Sequence, residues 1–163
     1  MRLGKLPRRA GWQPALPRNT LLMPAITVRN RQRTVRVDWR PLQDFADRAL
    51  LASLKFPGRK SEVLSQLDEI GIALVSDRRI AQLHRRFLNE AGPTDVITFQ
   101  HGEIFVSTET ARRQARAFRT SLEHELRLYI VHGLLHLRGY DDKTPAGAAE
   151  MKRLQEKLVA SLL

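Results

Sequence analysis

The chain has 163 residues, enough for one domain with a packed core, and 42% of them are hydrophobic. It contains no cysteine, which excludes disulfides and thiolate metal sites, so any metal must be held by His, Asp or Glu. The 28 Lys and Arg residues against 17 Asp and Glu give a net charge of +11, which favours contact with a nucleic acid. The alternative explanation of the same charge is an arginine-rich genome.

No apolar run approaches the roughly 20 residues of a membrane-spanning helix, and we expect a cytoplasmic protein without a membrane partner. Residues 1–22 hold five basic residues, no acidic ones and three prolines, and they predict a disordered basic extension before a folded domain at 23–163. Two alternatives stay open. Translation could begin at Met23, or the segment could be a transit peptide, which the lack of an amphipathic helix disfavours.

The domain opens with alternating apolar residues. Ile26 and Val28, then Val35 and Val37, predict one or two strands, or a hairpin around Asn30.

A helix is predicted to begin at Pro41 and to end at the Phe-Pro-Gly sequence of 56–58. Its apolar residues recur at helical spacing: Leu42, Phe45, Ala46, Ala49, Leu50 and Leu54. Residues 61–68 are ambiguous, and residues 70–75 indicate a buried strand.

Asp77 is the predicted N-cap of a short helix that extends to Phe87. After a loop at 89–93, the residues of 96–99 and 103–106 predict two strands of a hairpin with its turn at His101.

Three helices are predicted in the rest of the chain. Ser107 begins a basic helix, whose arginines (Arg112, Arg113, Arg116 and Arg119) form either an RNA-binding surface or a solvated face. Thr120 and Glu123 resemble a capping box at the start of the second helix, and the third runs from about Pro145 to the end. The predicted fold is α+β, with a small mixed β-sheet, packed helices and a metal site on a His-bearing helix.

His132 and His136 project from the same face of that helix, because four residues make just over one turn. Gly139 stands where a helix ends in a left-handed turn, after which Asp141 or Asp142 can return beneath the two imidazoles as a third ligand. Three protein ligands leave coordination positions for water and substrate, as in a catalytic site. The alternative for such a pair is a hydrogen-bonded histidine on an apolar helix.

Three segments carry a resemblance to a known family. The sequence from His132 to Asp142 resembles the His-Gly-x-Leu-His-Leu-x-Gly-Tyr-Asp-His signature of the YbeY-type endoribonucleases. Residues 93–99 are similar to the family's Pro-Thr-Asp-Val-Leu-Ser-Phe strand, and residues 102–107 to its Gly-Asp-Ile-x-Ile-Ser strand. The resemblance spans about residues 70–158 in order.

The resemblance implies a metal-dependent endoribonuclease, specific for single strands, that acts in rRNA maturation at the 3′ end of small-subunit rRNA and in ribosome quality control. It implies RNA and ribosomal subunits as partners, with ribosomal proteins or a ribosome-associated GTPase. One divalent metal, zinc before manganese or magnesium, would be held by His132, His136 and Asp142, where Asp142 replaces the family's histidine. A carboxylate is a competent zinc ligand, although it makes the metal a weaker Lewis acid.

A second departure concerns an arginine that the family places near its substrate. Counting back from Pro93 without a gap places Leu88 there, and Arg85 or Arg86, one turn earlier, are the candidates for the same phosphate. The remaining expected roles are substrate contacts at Thr94, Asp95 and Tyr140 and catalysis at His132 and His136. The proton acceptor stays open: Asp141 is one candidate, and the alternative is that the 2′-hydroxyl of the substrate itself acts as the nucleophile.

Each of these side chains has a structural alternative. A Thr-Asp pair that opens a strand often satisfies local backbone groups, and a tyrosine in a helix-ending turn often caps the core. For the whole protein, the alternatives are an RNA- or ribosome-binding assembly factor with weakened catalysis and a metal-dependent peptidase. The peptidase is disfavoured because such enzymes place a Glu after the first histidine, where this chain has Gly133.

Overall fold

The computed structural model describes residues 23–163, so the predicted basic extension at 1–22 lies outside the described residues. The described part contains four strands, which are β1 (Ala25–Asn30), β2 (Glu69–Val75), β3 (Val96–Thr98) and β4 (Glu103–Ser107). Its α-helices are α1 (Arg40–Ser53), α2 (Asp77–Leu83), α3 (Thr108–Phe118), α4 (Leu122–Leu137) and α5 (Pro145–Ser161). A 3₁₀ turn at Leu64–Gln66 and a π-turn at His84–Leu88 complete the order. None of these helices is long and apolar enough to cross a membrane.

The strands form one mixed sheet in the order β1-β2-β4-β3. β1, β2 and β4 run parallel, and β3 pairs antiparallel with β4. The α+β fold with a small mixed sheet and packed helices is therefore confirmed, as is the β3–β4 hairpin.

The two faces of the sheet are covered unequally. One face carries the main core, in which Ile72 and Ile104 pack with residues of α1, α4 and α5. The other face is covered at its β3 side by α2, where Ile80 and Leu83 pack on Val75 and Ile97. From Leu128 to its end, α4 is apolar apart from His132 and His136, because this half of the helix lies inside the main core.

The expected strand or hairpin through Val35 and Val37 is wrong. β1 ends at Asn30 and pairs in parallel with β2, and residues 31–39 form a loop. Val35 is buried all the same, and the side chain of Gln32 satisfies its backbone N–H and carbonyl groups. A buried valine in a loop therefore produced the alternating apolar pattern that predicts a strand.

Two predicted caps lie one residue from the observed ones. Ser76, rather than Asp77, caps α2 and accepts a hydrogen bond from the N–H of Arg79. Ser121 caps α4, whereas Thr120 donates to the Glu125 carboxylate at 2.5 Å. In each case the residue before or after the predicted N-cap also has a side-chain oxygen, and this oxygen accepts the capping hydrogen bond instead. Sequence spacing alone does not decide between two adjacent residues of this kind.

The outer edge of β1 is covered by a side chain of α1. Gln43 accepts a hydrogen bond from the N–H of Val28 at 2.7 Å and donates one to the carbonyl of Ile26 at 3.0 Å. The amide thereby takes the place of a neighbouring strand over one pair of backbone groups.

Candidate metal centre

Helix α4 presents His132 and His136 one turn apart, with their ring centroids 4.5 Å apart. Their Nε2 atoms are 2.9 Å from each other. Asp142 lies beyond the end of α4, and its carboxylate oxygens are 3.5 Å from Nε2 of His132 and 3.9 Å from Nε2 of His136. The three residues offer ligand atoms that all lie within 4.8 Å of one another.

A glycine turn brings Asp142 back to the histidines. Gly139 has a φ of +87°, and a Cβ atom there would lie 2.9 Å from the backbone nitrogen of Glu62. Both the left-handed backbone and the close approach therefore require glycine.

The segment that follows α1, residues 54–62, binds the residue before this turn, Arg138. The guanidinium of Arg138 donates to the carbonyls of Leu54 and Phe56 and pairs with Glu62 at 2.9 Å. Burial raises the pKa of Glu62, but hydrogen bonds from Ser65 and Arg138 outweigh it and lower the pKa overall. Glu62 is therefore held as the anion that pairs with Arg138 at the end of α4.

Each imidazole is oriented through its Nδ1 atom. Nδ1 of His132 is 3.0 Å from Oε1 of Gln155 in α5, and Nδ1 of His136 is 3.0 Å from the carbonyl oxygen of Tyr140. Because the partners are oxygen acceptors, the Nδ1 atoms carry the hydrogens and the Nε2 lone pairs face inward. Burial, followed by the neighbouring His132, lowers the pKa of His136 and favours the neutral form that ligates metals.

This donor set fits a divalent cation. With both Nδ1 atoms protonated, the 2.9 Å contact sets two Nε2 lone pairs against each other, beside a carboxylate. A cation shared by the three groups would turn that repulsion into attraction. Two imidazoles and one carboxylate form a recognised ligand set for catalytic zinc.

Gly133 packs against the sheet rather than facing the histidines. A Cβ atom at this position would lie 2.7 Å from Cγ2 of Ile104 in β4. The side of α4 on which a helical peptidase would carry its Glu is therefore filled by the core.

The two residues before Asp142 lie in different surroundings. Tyr140 is 5% exposed, its hydroxyl donates to the carbonyl of Pro57 at 3.0 Å, and Arg59 lies 4.9 Å from its ring centroid. The ring is packed inside the protein, as the structural alternative for Tyr140 expects, and the carbonyl of this residue orients His136. Asp141 is exposed, and one of its carboxylate oxygens accepts a hydrogen bond from the N–H of Lys143.

Thr94 and Asp95 directly precede β3 and are hydrogen-bonded to each other. The Thr94 hydroxyl donates to Asp95 Oδ1 at 3.1 Å, and the same oxygen accepts from the N–H of Val96 at 2.8 Å. Burial raises the pKa of Tyr129 in α4, and the charge of Asp95 raises it further. The carboxylate of Asp95 is therefore close enough to α4 to affect the pKa of Tyr129, about one turn before His132.

Arg85 and Arg86 are exposed on the π-turn, where the neighbouring Leu88 is also exposed. No hydrogen bond or ion pair within residues 23–163 joins these arginines to the histidine–aspartate group. On α3, Arg113 is engaged by Asp77 and Thr110. The other arginines of the predicted RNA-binding surface, Arg112, Arg116 and Arg119, are exposed.

Gln155 is the site residue that the sequence reading missed. Gln155 does not stand out in the sequence, because Arg153, Glu156 and Lys157 beside it on α5 are polar as well, and no spacing rule links it to a histidine 23 positions earlier.

Comparisons with known proteins relate the chain to one family. A family model described as Endoribonuclease YbeY matches residues 27–163. The Endoribonuclease YbeY of Frankia alni is 36% identical over 118 residues, which cover 60% of this chain and 65% of the relative. That of Gluconobacter oxydans is 35% identical over 131 residues, which cover 76% and 78%.

A solved structure shares the fold. The solution structure of the Thermotoga maritima protein TM1509 has a TM-score of 0.58 and 26% identity, covering 84% of this chain and 88% of that one. Several relatives are longer than the matched region. The match covers 65% of the Frankia alni protein, 52% of that from Anaeromyxobacter and 35% of that from Myxococcus xanthus.

Proposed function

The chain belongs to the YbeY endoribonuclease family, and on that basis we propose that it is a divalent-metal-dependent endoribonuclease that cleaves single-stranded RNA. Its proposed place is the cytoplasm, in maturation of the 3′ end of small-subunit rRNA and in ribosome quality control. The observation that carries the proposal is the convergence of two oriented imidazoles and one carboxylate within 4.8 Å.

His132, His136 and Asp142 would hold the metal, which we propose to be zinc, with manganese or magnesium as alternatives. When bound, the metal would supply Lewis acidity that activates water near neutral pH and polarises a phosphate oxygen. Gln155 and the Tyr140 carbonyl keep the Nε2 lone pairs aimed at the common centre. The three ligands leave room for water and a phosphate group.

Other side chains are proposed to handle the proton and the substrate. Asp141 is the proposed proton acceptor, since it is exposed beside the ligand set and one of its oxygens has no hydrogen bond within residues 23–163. Arg85 and Arg86 would balance phosphate charge from the π-turn, and Thr94 and Asp95 would position the substrate at the start of β3.

RNA is the proposed substrate because of charge as well as family. Five of the 28 basic residues precede Met23, and no acidic residue does, so residues 23–163 retain a net charge of +6. Such an excess attracts a polyanion over a distance of about 10 Å at moderate salt. Ribosomal subunits, and with them ribosomal proteins or a ribosome-associated GTPase, are the proposed partners.

The test is cleavage of an end-labelled single-stranded RNA, with and without a chelator. We expect cleavage to stop on chelation and in His136→Ala, and to persist in the control His124→Ala, which alters a histidine at the start of the same helix. RNA binding without cleavage under zinc, manganese and magnesium would contradict the proposal and leave an RNA-binding assembly factor.

A casein digest separates the peptidase alternative. We expect no peptide hydrolysis, because Gly133 faces Ile104 and the helix carries no Glu beside the first histidine.

A further inference from the structure

The face of the sheet opposite α4 is partly open. Helix α2 covers this face near β3, and the remaining part, over β1, β2 and β4, forms a groove of about 770 Å³. Three small residues of β1 and β2 line part of its floor, namely Thr27, Gly71 and Ala73. No atom lies within 4 Å of the position that a Cβ at Gly71 would occupy, so the groove is open to the backbone of the sheet.

Positive charge is concentrated at one end of the groove. Arg29 is paired in register with Ala73, and the N–H of Arg31 binds the carbonyl of Leu74, so both arginines lie near the carboxyl ends of the parallel strands. Arg79 of α2 lines the same groove. None of the three takes part in an ion pair within residues 23–163.

The basic loop after β1 is held by a buried glutamine. Gln32 is 9% exposed, its Oε1 accepts the N–H of Val35 at 2.8 Å, and its Nε2 donates to Asn30 Oδ1 and the Val35 carbonyl at 2.9 Å. Because these bonds fix the turn, the side chains of Arg31 and Arg33 are left exposed on its outer side. An ordered loop loses less entropy when it binds a ligand.

Asp77, two residues before Arg79 in α2, is already engaged within the protein. Asp77 accepts hydrogen bonds from Ser107, Thr110 and Arg113, so its charge is compensated within the protein. At the other end of the groove, Glu103 is bound by His101 at 2.9 Å, and Glu69, which also lines the groove, is exposed and takes part in no ion pair within residues 23–163, so the negative charge of the groove lies away from the arginines.

An exposed aromatic surface adjoins that second end. The ring of His101 stacks on Phe99 with centroids 5.5 Å apart and planes 23° apart, and Phe99 meets Phe105 edge-on at 5.9 Å. The His101 side chain is 66% exposed, so one face of the stacked ring is open to a planar ligand. Unpaired bases bind to aromatic faces of this kind.

We propose that this groove is a second RNA-binding site, in which Arg29, Arg31 and Arg79 bind phosphates of a single strand and His101 stacks on a base. The site lies on the opposite side of the sheet from the metal centre, because Gly133 of α4 packs on the other face of β4. The proposal takes RNA as the ligand from the proposed function, but binding in the groove requires neither the metal nor cleavage.

The test measures binding of a fluorescently labelled oligouridylate by the whole chain in EDTA, by anisotropy over a salt series. The triple variant Arg29→Gln, Arg31→Gln, Arg79→Gln is expected to bind about tenfold more weakly, with a salt slope reduced by about 2, since each lost phosphate contact on a single strand contributes about 0.7. The matched control Lys55→Gln, Lys60→Gln, Arg153→Gln removes the same charge from exposed positions elsewhere and is expected to keep most of the affinity.

A second variant tests the stacking. His101→Ala is expected to weaken oligouridylate binding about tenfold and to leave binding of an abasic oligonucleotide unchanged. Unchanged affinity of the groove triple, or an equal loss in the control triple, would overturn the proposal and leave the groove to a protein or to no partner. Cleavage assays separate the two proposals: His136→Ala is expected to abolish cleavage and to keep groove binding, and groove binding without any cleavage would overturn the proposed function alone.

Discussion

Nδ1 of His132 in α4 lies 3.0 Å from Oε1 of Gln155 in α5, so the packing of two helices sets which nitrogen of the imidazole is free. The last helix therefore takes part in the metal centre although it supplies no ligand. A hydrogen bond of this kind fixes both the ring orientation and the tautomer.

Gln155→Leu is expected to lower the affinity for zinc about 10- to 100-fold, because the Nδ1 proton loses its acceptor and the ring is free to turn. Titration calorimetry of the metal-free protein measures the change. Lys152→Gln on the same helix is the control and should bind zinc normally. An unchanged zinc affinity in Gln155→Leu would show that α5 does not orient the imidazole.

Asp142→His is expected to raise zinc affinity about tenfold and to lower manganese affinity, because an imidazole is a softer ligand than a carboxylate. The same substitution at Asp44, which is exposed on α1, is the control. A large gain in RNA cleavage by Asp142→His would show that the natural ligand set is catalytically weak. If Asp142→Ala binds metal as well as the parent chain, the carboxylate is not a ligand.

Gly133→Ala is expected to destabilise the fold by about 1–3 kcal/mol, because the added methyl group meets Ile104 at 2.7 Å. Denaturant unfolding measures the free energy. In a double-mutant cycle, Gly133→Ala combined with Ile104→Ala should cost less than the sum of the two single changes, since the second removes the obstructing atoms. Additive costs would mean that the helix shifts away instead.

Acidification should remove the stabilising contribution of Asp77. Burial raises the pKa of this carboxyl, but hydrogen bonds from Arg113, Ser107 and Thr110 outweigh burial and hold its pKa below the ordinary value. A carboxyl with a lowered pKa in the folded state stabilises the protein above its unfolded pKa of about 4, and the effect disappears as the pH falls through the folded value.

Asp77→Asn should therefore lower the free energy of unfolding by about 1–3 kcal/mol at neutral pH, and the difference from the parent should close below about pH 4. Urea unfolding over a pH series measures it, with the exposed Asp44→Asn as the control. A difference that stays constant down to low pH would exclude the charge as its source.

Tyr140→Phe is expected to leave RNA affinity unchanged and to cost about 1 kcal/mol of stability, because it removes the hydrogen bond to the Pro57 carbonyl and keeps the packed ring. Anisotropy and thermal unfolding are measured on the same sample. Weaker RNA binding at unchanged stability would place the phenol in contact with the substrate.

The sequence predicted the parts of the fold that depend on short spacings. The His132–His136 pair, the Gly139 turn and the β3–β4 hairpin each arise within a few residues, and the turn has the left-handed backbone that its glycine predicts. The parallel pairing of β1 with β2 was not predicted, because it joins segments separated by a whole helix. The contact of Gln155 with His132 was missed for the same reason: it depends on how α5 packs on α4.

The strand predicted through Val35 was wrong for a different reason. Val35 is buried like a strand residue, but Gln32 satisfies its backbone groups and no neighbouring strand is needed. When a buried polar side chain binds the backbone groups that a neighbouring strand would otherwise bind, the pattern of apolar residues stays the same. The pattern therefore does not separate such a loop from a strand.

Gln43 affects whether the β1 edges of two protein molecules can pair. An edge strand with unpaired N–H and carbonyl groups is a template on which a second chain can extend the sheet and begin to aggregate. Since the Gln43 amide occupies the N–H of Val28 and the carbonyl of Ile26, an incoming strand would first have to displace it. One glutamine of α1 therefore protects the β1 edge against intermolecular β-sheet growth.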